Sequence, residues 1–272
     1  MGRPAAIEVS RLKWSGGALS AGHRTIPEEV PVALTYDGTA YAVMMATPLD
    51  LPDFALGFSL SEGVVDDAAG IESLEIIEVE GGVEARMWLK PAASARNRGR
   101  RRSLLGPTGR SLCGVDSIAQ ALKSLPGVNR EALRVCGVDL LTAMTELQKK
   151  QSLNALTRTV HAAALWLGHD LLVREDVGRH NALDKIIGAA ALSATSAKDG
   201  VVLLTSRVAV ELVQKTARLG APIIAAISAP TALAVKMADE AGITLAAVLR
   251  GDEFEIFTRP ERIVGEARRH EA

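Results

Sequence analysis

Two cysteines provide the thiols of this chain, and both stand in the same tetrapeptide, Cys-Gly-Val-Asp. Cys113 follows an arginine-rich stretch and precedes a capping-box pattern, Ser117 to Gln120, that predicts the start of a helix. Because cationic side chains and a helix N-terminus favour the thiolate, the sequence predicts that Cys113 is a nucleophile. Asp116 acts in the opposite direction, since its charge disfavours a second anion nearby. A half-buried structural cysteine is the alternative interpretation.

Cys136 has no basic cluster near it in the sequence. It comes just before another predicted helix, of which Asp139 would be the N-cap, and we interpret it as structural. Two cysteines in 272 residues do not make a disulfide framework. The chain also shows no secretory leader and no apolar run near the roughly 18 residues of a membrane span. We therefore expect a cytoplasmic protein without membrane contact.

The composition argues against nucleic acid as a partner. Hydrophobic residues make up 48% and charged residues 23% of the chain, as in an ordinary globular protein. The aromatic fraction of 3% leaves few side chains for stacking on bases, and the net charge of −1 provides no field that would attract polyanions.

The first half of the chain is rich in predicted strands. Hairpins are predicted over 29–47, turning at Asp37-Gly38, and over 71–90, turning at Gly81-Gly82, with a short helix over 53–61. The stretch 91–110 holds six arginines without clear periodicity, which indicates a mobile loop.

The second half alternates helices with continuous apolar strands, which is typical of a sheet covered on both faces. Gly220 and Gly242 would end two helices, and Ser228 before Pro230 would start one. The predicted helices span 117–125, 139–156, 181–192, 208–219 and 231–241, and the strands span 170–176, 201–206, 222–228, 244–250 and 253–258. We expect an α/β fold organised as an N-terminal extension (1–27), a small β-rich domain (28–110) and an α/β domain (111–272). The strand 253–258 could pack on either of the two domains.

In open α/β sheets, ligands bind beyond the carboxyl ends of the strands. Arg179, Arg207 and Arg250 follow such ends here, and two of these ends lead directly into a helix. Guanidinium groups and helix-start N–H groups suit a phosphate or pyrophosphate. The alternative is that these arginines are solvated or pair with neighbouring carboxylates.

Two familiar devices are absent. The sequence contains neither GxGxxG nor GxxxxGK[ST]. A zinc deaminase would show His-x-Glu at His161, but residue 163 is alanine and no Pro-Cys-x-x-Cys follows. Zinc is not expected, and His161 is interpreted as a packed histidine.

Three stretches resemble the family of the formate dehydrogenase accessory protein FdhD. They are REDVGRHNALDKIIG at 174–188, the run 206–258, and ATPLDLPDFALGFSLSEGVV at 46–65, and the resemblance extends over residues 28–265. It implies a cytidine-deaminase-like α/β core without zinc. It also implies a sulfur carrier, which receives sulfur from a cysteine desulfurase as a persulfide and passes it to molybdenum bis(molybdopterin guanine dinucleotide), the cofactor of formate dehydrogenase.

Carried over by position, the resemblance places the persulfide on Cys113. It implies a cysteine desulfurase and formate dehydrogenase as partners and no resident metal. The sequence leaves the oligomeric state open, and a homodimer is one of the assemblies that it allows. The guanine-nucleotide-containing cofactor would be bound by Val248, Leu249, Arg250, Gly251, Asp252, Glu253, Arg179, His180, Ser206, Arg207, Ser228 and Thr231.

The sequence departs from the family at two places. The family loop usually reads Cys-Gly-x-Cys-Gly, whereas Asp116 stands here in place of the second cysteine. The segment Thr157 to His161, TRTVH, replaces the family's Thr-Gly-Gly-x-His. A persulfide needs a single sulfur, so a one-cysteine relay stays compatible with the sequence.

Three functions are consistent with these residues. The first is a sulfur carrier that uses Cys113. The arginines of 96–110 would then steer the cofactor or the desulfurase, and the alternative is that these arginines are only solvated. The second is a chaperone that delivers the cofactor without moving sulfur, which the missing second cysteine favours. The third is an unrelated nucleotide-modifying enzyme, in which His180 would be the acid–base group.

Overall fold

The structure is a computed structural model that describes residues 3–104, 125–128 and 133–265. The predictions for Cys113, Asp116 and the helix start at Ser117 lie outside the described residues. The strands are β1 (Ala6–Ser15), β2 (Ala18–Pro27), β3 (Val30–Tyr36), β4 (Thr39–Ala46), β5 (Ile71–Val79), β6 (Gly82–Leu89), β7 (Val135–Cys136), β8 (His161–Trp166), β9 (Leu171–Asp176), β10 (Val201–Leu204), β11 (Ile223–Ala226), β12 (Thr244–Arg250), β13 (Glu253–Thr258) and β14 (Ile263–Val264). The described helices are α1 (Leu51–Ser61), α2 (Pro91–Leu104), α3 (Gly137–Lys150), α4 (Ser152–Thr157), α5 (Arg179–Leu192), α6 (Val210–Leu219) and α7 (Ala232–Glu240).

The larger sheet has six strands in the order β13-β12-β11-β10-β8-β9. Strands β10, β11 and β12 are parallel, and β9 points the same way because β8 is antiparallel to both β9 and β10. The carboxyl ends of β9, β10, β11 and β12 therefore lie at one edge of the sheet, next to the start of β8. The predicted α/β class is confirmed.

Helices cover both faces of this sheet. On one face, α3 buries Leu140, Met144 and Leu147 against apolar strand residues. On the other face, α5, α6 and α7 pack on β8, β10, β11 and β12. Helix α5 is buried from Asn181 to Ala190 because α1 packs against its outer side. A helix covered on two sides has no polar stripe, and its sequence shows little amphipathic periodicity.

The smaller sheet has the order β4-β3-β6-β5 and packs one face against α1. The turn between β3 and β4 is the predicted one at Asp37-Gly38, and both residues have positive φ, 51° and 73°. Such a pair matches the twist of the flanking strands, which is why Asp-Gly is a strong hairpin signal. Both predicted hairpins are confirmed, although the second turns at Glu80-Gly81 and not at Gly81-Gly82. The helix predicted over 53–61 is also confirmed and begins two residues earlier, as Leu51–Ser61.

Helices α1 and α5 cross at two glycines. A Cβ added to Gly57 would overlap the carbonyl oxygen of Asp184, and one added to Gly188 would overlap that of Asp53. The crossing is reinforced by Arg174, whose Nε donates to Asp53 Oδ2 at 2.7 Å. The two sheets are thus joined through backbone contact between two helices.

The prediction of a loop over 91–110 is wrong for its first part, because Pro91–Leu104 forms helix α2. Proline suits a first helical position, where its missing N–H would have no partner. Ala93, Ser94 and Asn97 are buried on one face, and Ser94 Oγ donates to Asp37 Oδ2 at 2.6 Å. This buried face is small and polar, so apolar periodicity does not reveal it. Arginine is itself a good helix former.

The helix predicted over 139–156 consists of two helices, α3 and α4, broken at Gln151. The carboxylate of Glu175 on β9 accepts hydrogen bonds from the backbone N–H groups of Leu153 and Asn154, both at 2.8 Å. The sequence pattern is helical throughout 139–156, but a carboxylate from a distant strand caps a second helix within it.

Two predicted helix starts also need correction. Helix α3 begins at Gly137 with Cys136 as N-cap, so Asp139 lies in its first turn. Helix α7 has Thr231 as N-cap, not Ser228, and Thr231 Oγ1 accepts from the N–H of Ala234 at 3.3 Å. Gly220 does end α6, with φ of 82°.

The extension predicted over 1–27 forms the β1–β2 hairpin, with Trp14 opposite Leu19. Arg24 Nη2 donates to Thr157 O at 3.2 Å and ties this hairpin to α4. The strand 253–258 pairs with β12 in the larger sheet. Within the described ranges, no helix has the length and apolar character needed to cross a membrane.

Candidate functional site

The carboxyl edge of the larger sheet carries the predicted ligand-binding residues. Arg179 and His180 form the first turn of α5, directly after β9. Ser206 and Arg207 follow β10, and Ser228 and Thr231 follow β11. The segment from Val248 to Glu253 covers the end of β12, a turn and the start of β13. The topology therefore places every described residue of the predicted set along one edge.

A buried ion pair positions the start of α5. Lys185 Nζ lies 2.7 Å from Asp176 Oδ2, and both side chains are fully buried. Asp176 Oδ1 accepts from the N–H of Gly178 at 2.8 Å and from Asn181 Nδ2 at 2.9 Å. A charge left buried without its partner costs about 3–5 kcal/mol, so this pair holds the turn that carries Arg179 and His180 in one conformation.

His180 is an uncharged imidazole near neutral pH. Burial, followed by the positive charges of Arg179 and Lys215, lowers its pKa from 6.5 to about 4. Its Nε2 is buried and makes no hydrogen bond within the described residues. Glu211 Oε2 lies 4.0 Å away, but a neutral ring forms no ion pair with it. Buried polar atoms are normally satisfied by the protein, by water or by a ligand, and none of the described residues satisfies this nitrogen.

The lowered pKa of His180 predicts a pH dependence of stability. As pH falls below about 6.5, the unfolded chain takes up a proton that the folded protein accepts only near pH 4, so folding is progressively weakened across that interval. The His180→Gln variant should therefore lose less stability between pH 7.5 and 4.5 than the unaltered protein. Urea unfolding at several pH values measures this, and an unchanged pH profile would contradict the assigned shift.

Arg179 interacts electrostatically with both His161 and His180, and Arg207 interacts with His180. Arg179 Nε is buried without a hydrogen-bond partner in the described part of the chain. Burial and the Arg179 charge lower the pKa of His161, and Arg207 also contributes to the lowered pKa of His180. An anion placed here would satisfy the unpartnered donor and offset the concentrated positive charge.

Lys215, although close to His180, is not available to a ligand. Its Nζ lies 2.8 Å from Asp184 Oδ1 and 2.8 Å from Ser61 Oγ. Ser61 Oγ in turn donates to Asp184 Oδ1 at 2.6 Å. This buried cluster links α1, α5 and α6 and has a structural role.

Two of the three predicted hydroxyl groups, those of Ser206 and Thr231, have internal partners. Ser206 is buried and its Oγ donates to the carbonyl of Arg207 at 3.1 Å, while Thr231 caps α7. Ser228 is half-buried where β11 ends, and Arg207 is exposed. The exposed guanidinium group of Arg207 can therefore reach a ligand, whereas the hydroxyls of Ser206 and Thr231 are already occupied.

The segment from Val248 to Glu253 lies at the other end of the edge. Strands β11, β10 and β8 separate β12 from β9, a distance of about 19 Å at the usual strand spacing. Val248 has φ of 58°, at a bulge in the pairing of β12 with β13. A β-branched residue rarely adopts this conformation, and strained residues cluster at ligand-binding positions.

A cavity of about 400 Å³ opens beside the cationic group formed by Arg179 and Arg207. This cavity was not predicted from the sequence. It lies where α3 ends, α4 and β8 begin, and β10 and β11 end. The lining residues are Gln148, Gln151, Asn154, Val160, His161, Thr205 and Ile227. His161 thus differs from the packed histidine that was predicted, because it is half-buried and faces this cavity. No signal in the sequence pointed to this position, because β8 was not among the predicted strands.

Cys136 is remote from this cavity. It is the half-buried N-cap of α3, and its Sγ lies 3.7 Å from the carbonyl oxygen of Gly265. Helix α3 has 14 residues and is about 21 Å long, and its C-terminal end, opposite Cys136, lines the cavity. Within the described ranges, no group of three His, Cys, Asp or Glu side chains is arranged to hold a metal ion.

Comparisons with known proteins agree with this architecture. The chain matches the model of the FdhD/NarQ family over residues 27–264. A relative from Agrobacterium fabrum, named sulfur carrier protein FdhD, is 49% identical over 258 residues, which cover 94% of this chain and 95% of the relative. A protein of the same name from Cupriavidus necator is 47% identical, with coverage of 94% and 89%.

A solved structure shares the fold over nearly its full length. A crystal structure from Desulfotalea psychrophila, described provisionally as a formate dehydrogenase accessory protein, superposes with a TM-score of 0.76. The two sequences are 25% identical, and the match covers 96% of this chain and 100% of the other. The family model, the curated relatives and the shared fold lead to one conclusion: this chain belongs to the FdhD/NarQ family.

Proposed function

We propose that this protein is a sulfur carrier that accepts sulfur from a cysteine desulfurase on Cys113. It passes that sulfur to molybdenum bis(molybdopterin guanine dinucleotide) for the activation of formate dehydrogenase. The observation that carries the proposal is the cationic group at the carboxyl edge, where Arg179 has a buried donor without a partner beside Arg207 and the neutral His180. Relatives named sulfur carrier protein support the sulfur chemistry.

The cofactor is the substrate in this scheme, and its size suits the edge. A pyrophosphate would accept hydrogen bonds from Arg179 and Arg207 and from the first N–H groups of α5. The segment from Val248 to Glu253, about 19 Å away along the edge, would then contact a remote part of the same ligand. A dinucleotide cofactor would be long enough to reach both positions.

The proposed sulfur transfer needs one thiolate. The Cys113 thiolate attacks the terminal sulfur of the desulfurase persulfide, a new S–S bond forms on Cys113, and the desulfurase cysteine leaves as a thiolate. Asp116 removes the option of resolving the persulfide as a disulfide within the same loop. The sulfur must then stay on Cys113 until the cofactor takes it.

The direct test is to locate the transferred sulfur. The protein would be incubated with a cysteine desulfurase and isotopically labelled cysteine, then digested with trypsin without reductant. Cleavage after Arg110 and Lys123 isolates Cys113, and cleavage after Arg134 and Lys149 isolates Cys136. We expect one labelled sulfur atom on the first peptide, removable by dithiothreitol, and none on the second.

A chaperone that delivers the cofactor without moving sulfur is the second candidate. Asp116, in the place of the second cysteine of the family loop, is the observation that favours it. Absence of labelled sulfur on the Cys113 peptide, in a preparation that still binds guanine nucleotide, would support the chaperone and exclude the carrier.

A further inference from the structure

The β1–β2 hairpin projects from the rest of the molecule as a two-stranded arm. Its base is fixed by Arg3 Nη2, which donates to the carbonyl oxygen of Gly82 at 3.3 Å, and by Arg24 Nη2, which donates to Thr157 O at 3.2 Å. Strand β2 begins at Ala18, six residues before Arg24, so the arm extends about 20 Å beyond this contact. Within the described ranges, no hydrogen bond or ion pair joins residues 10–23 to the rest of the chain.

One face of the outer part of this arm is apolar. Leu12 lies opposite Ala21 and Trp14 opposite Leu19, and residues two apart on a strand share a face. Leu12, Trp14 and Leu19 are 68%, 71% and 66% exposed. The cross-strand contact of Trp14 with Leu19 stabilises the hairpin, but it leaves most of both side chains in water. Contiguous apolar patches that stay exposed mark surfaces that bind another molecule.

The opposite face of the arm is cationic. Arg11, Lys13 and Arg24 occupy the alternate positions of the two strands. The stretch 9–27 contains these three cations and no Asp or Glu, whereas the whole chain has a net charge of −1. Complementary charges steer a partner to a surface and juxtaposed like charges repel it, so a protein that covers this arm would carry carboxylates.

The sequence specifies this hairpin strongly, although neither face of its outer part is covered. Gly16 and Gly17 form the turn with φ of 58° and 84°, and two central residues with positive φ match the twist of the flanking strands. A two-stranded ribbon without a packed face is only marginally stable in water. A partner that buries the apolar face would complete the structure.

The base of the arm lies next to the candidate functional site. Arg24 contacts Thr157, the last residue of α4, and Asn154 of the same helix lines the cavity beside the cationic group. Leu156, also on α4, is 67% exposed. Under the proposed function the cofactor is bound at this edge of the sheet, so the protein that receives it must approach this side of the molecule. The position of the arm therefore favours the recipient of the cofactor as the partner.

We propose that the β1–β2 hairpin is the arm that docks formate dehydrogenase in its cofactor-free form. Leu12, Trp14 and Leu19 occupy an apolar groove of that enzyme, and carboxylates at the rim of the groove face the cations on the other side of the arm. Trp14 is the central anchor, since a few aromatic side chains supply most of the binding energy of such contacts. The inference rests on the proposed function, which supplies the partner, and adds the surface by which that partner is recognised.

The test measures the affinity of the full chain for formate dehydrogenase purified from cells that lack the native accessory protein. Trp14→Ala should weaken binding by about 30-fold or more in surface plasmon resonance, the usual effect of truncating a central aromatic anchor. Trp88→Ala is the matched control and should bind like the unaltered protein, because Trp88 is 46% exposed but belongs to the smaller sheet. The double variant Arg11→Glu, Lys13→Glu keeps the contact of Trp14 with Leu19, and it should slow association and abolish the decrease of the association rate with added salt.

Full affinity of Trp14→Ala, or no binding of the dehydrogenase by the unaltered protein, would overturn the inference. A lower mass of Trp14→Ala than of the unaltered protein in solution would also overturn it, because the arm would then contact a second copy of this chain. Binding to vesicles of anionic phospholipid that is lost in Trp14→Ala would assign the arm to a membrane instead. Trp14→Ala should still take up labelled sulfur on Cys113, and absence of that label from the unaltered protein would overturn the proposed function separately.

Discussion

Replacing Cys113 by alanine is expected to leave formate dehydrogenase inactive while the protein still binds guanosine diphosphate. The persulfide needs a thiolate sulfur, and a methyl group cannot carry one. Asp116 cannot take over, because a carboxylate forms no sulfur–sulfur bond. The expected change is a loss of activation to background, not a partial decrease. Formate dehydrogenase activity in cells that lack the native accessory protein, supplied with each variant, is the measurement.

The matched control for this prediction is Cys136→Ala. Cys136 is half-buried, makes no side-chain hydrogen bond to the α3 N-terminus and lies about a helix length from the cavity. We expect this variant to activate formate dehydrogenase fully, with at most a small loss of stability. Full activation by Cys113→Ala would eliminate the sulfur-carrier mechanism.

The Gly188→Ala variant is expected to lower the free energy of unfolding by about 3 kcal/mol or more. The added Cβ would overlap the carbonyl oxygen of Asp53 and would lie only 2.7 Å from its carbonyl carbon. Alanine is a better helix former than glycine by about 1 kcal/mol, but this gain applies only if the helix can stay where it is. The obstacle is backbone, which cannot rotate away as a side chain could, so the clash outweighs the propensity.

The consequence should extend from stability to the site. Helix α5 carries Arg179 and His180 at its start and Gly188 near its end. Because α5 packs on the larger sheet and α1 on the smaller one, pushing α1 away from α5 displaces the two sheets relative to each other. Gly57→Ala should behave in the same way, because its Cβ would overlap the carbonyl oxygen of Asp184. Gly127→Ala is the control, since no atom of the described residues lies within 4 Å of the position of its Cβ. Chemical unfolding of all three variants measures the effect, and equal stabilities of Gly188→Ala and Gly127→Ala would contradict the close crossing.

Most elements of the larger sheet could be predicted from the sequence because their signals are local. Apolar runs bounded by Gly220 and Gly242 identify helices and strands without any knowledge of the tertiary structure. The order of those elements predicts parallel strands, and parallel strands place their carboxyl ends together. The location of the cationic edge, with Arg179 and Arg207, follows from these rules alone.

Elements whose stability depends on distant partners were predicted incorrectly or missed. Strand β8, with the sequence HAAALW, contains three alanines of low strand propensity and forms because it lies between β9 and β10. Helix α2 presents a small, polar buried face that apolar periodicity does not detect. The break at Gln151 depends on Glu175, which is 24 residues away in the chain.

The sequence by itself determined the fold class, the family motifs and the sheet edge, and it predicts that Cys113 carries sulfur. Each of these is encoded in residue types and short spacings. Only the tertiary structure decided which side chains at that edge are already satisfied and which have no partner. Asp176 pairs with Lys185 and Lys215 with Asp184, whereas Arg179, His180 and Gln151 have buried nitrogen atoms without a hydrogen-bond partner among the described residues. Hydrogen-bond partners far apart in the chain make this difference, and their positions are set by the packing of α1 on α5 and of α3 on the sheet.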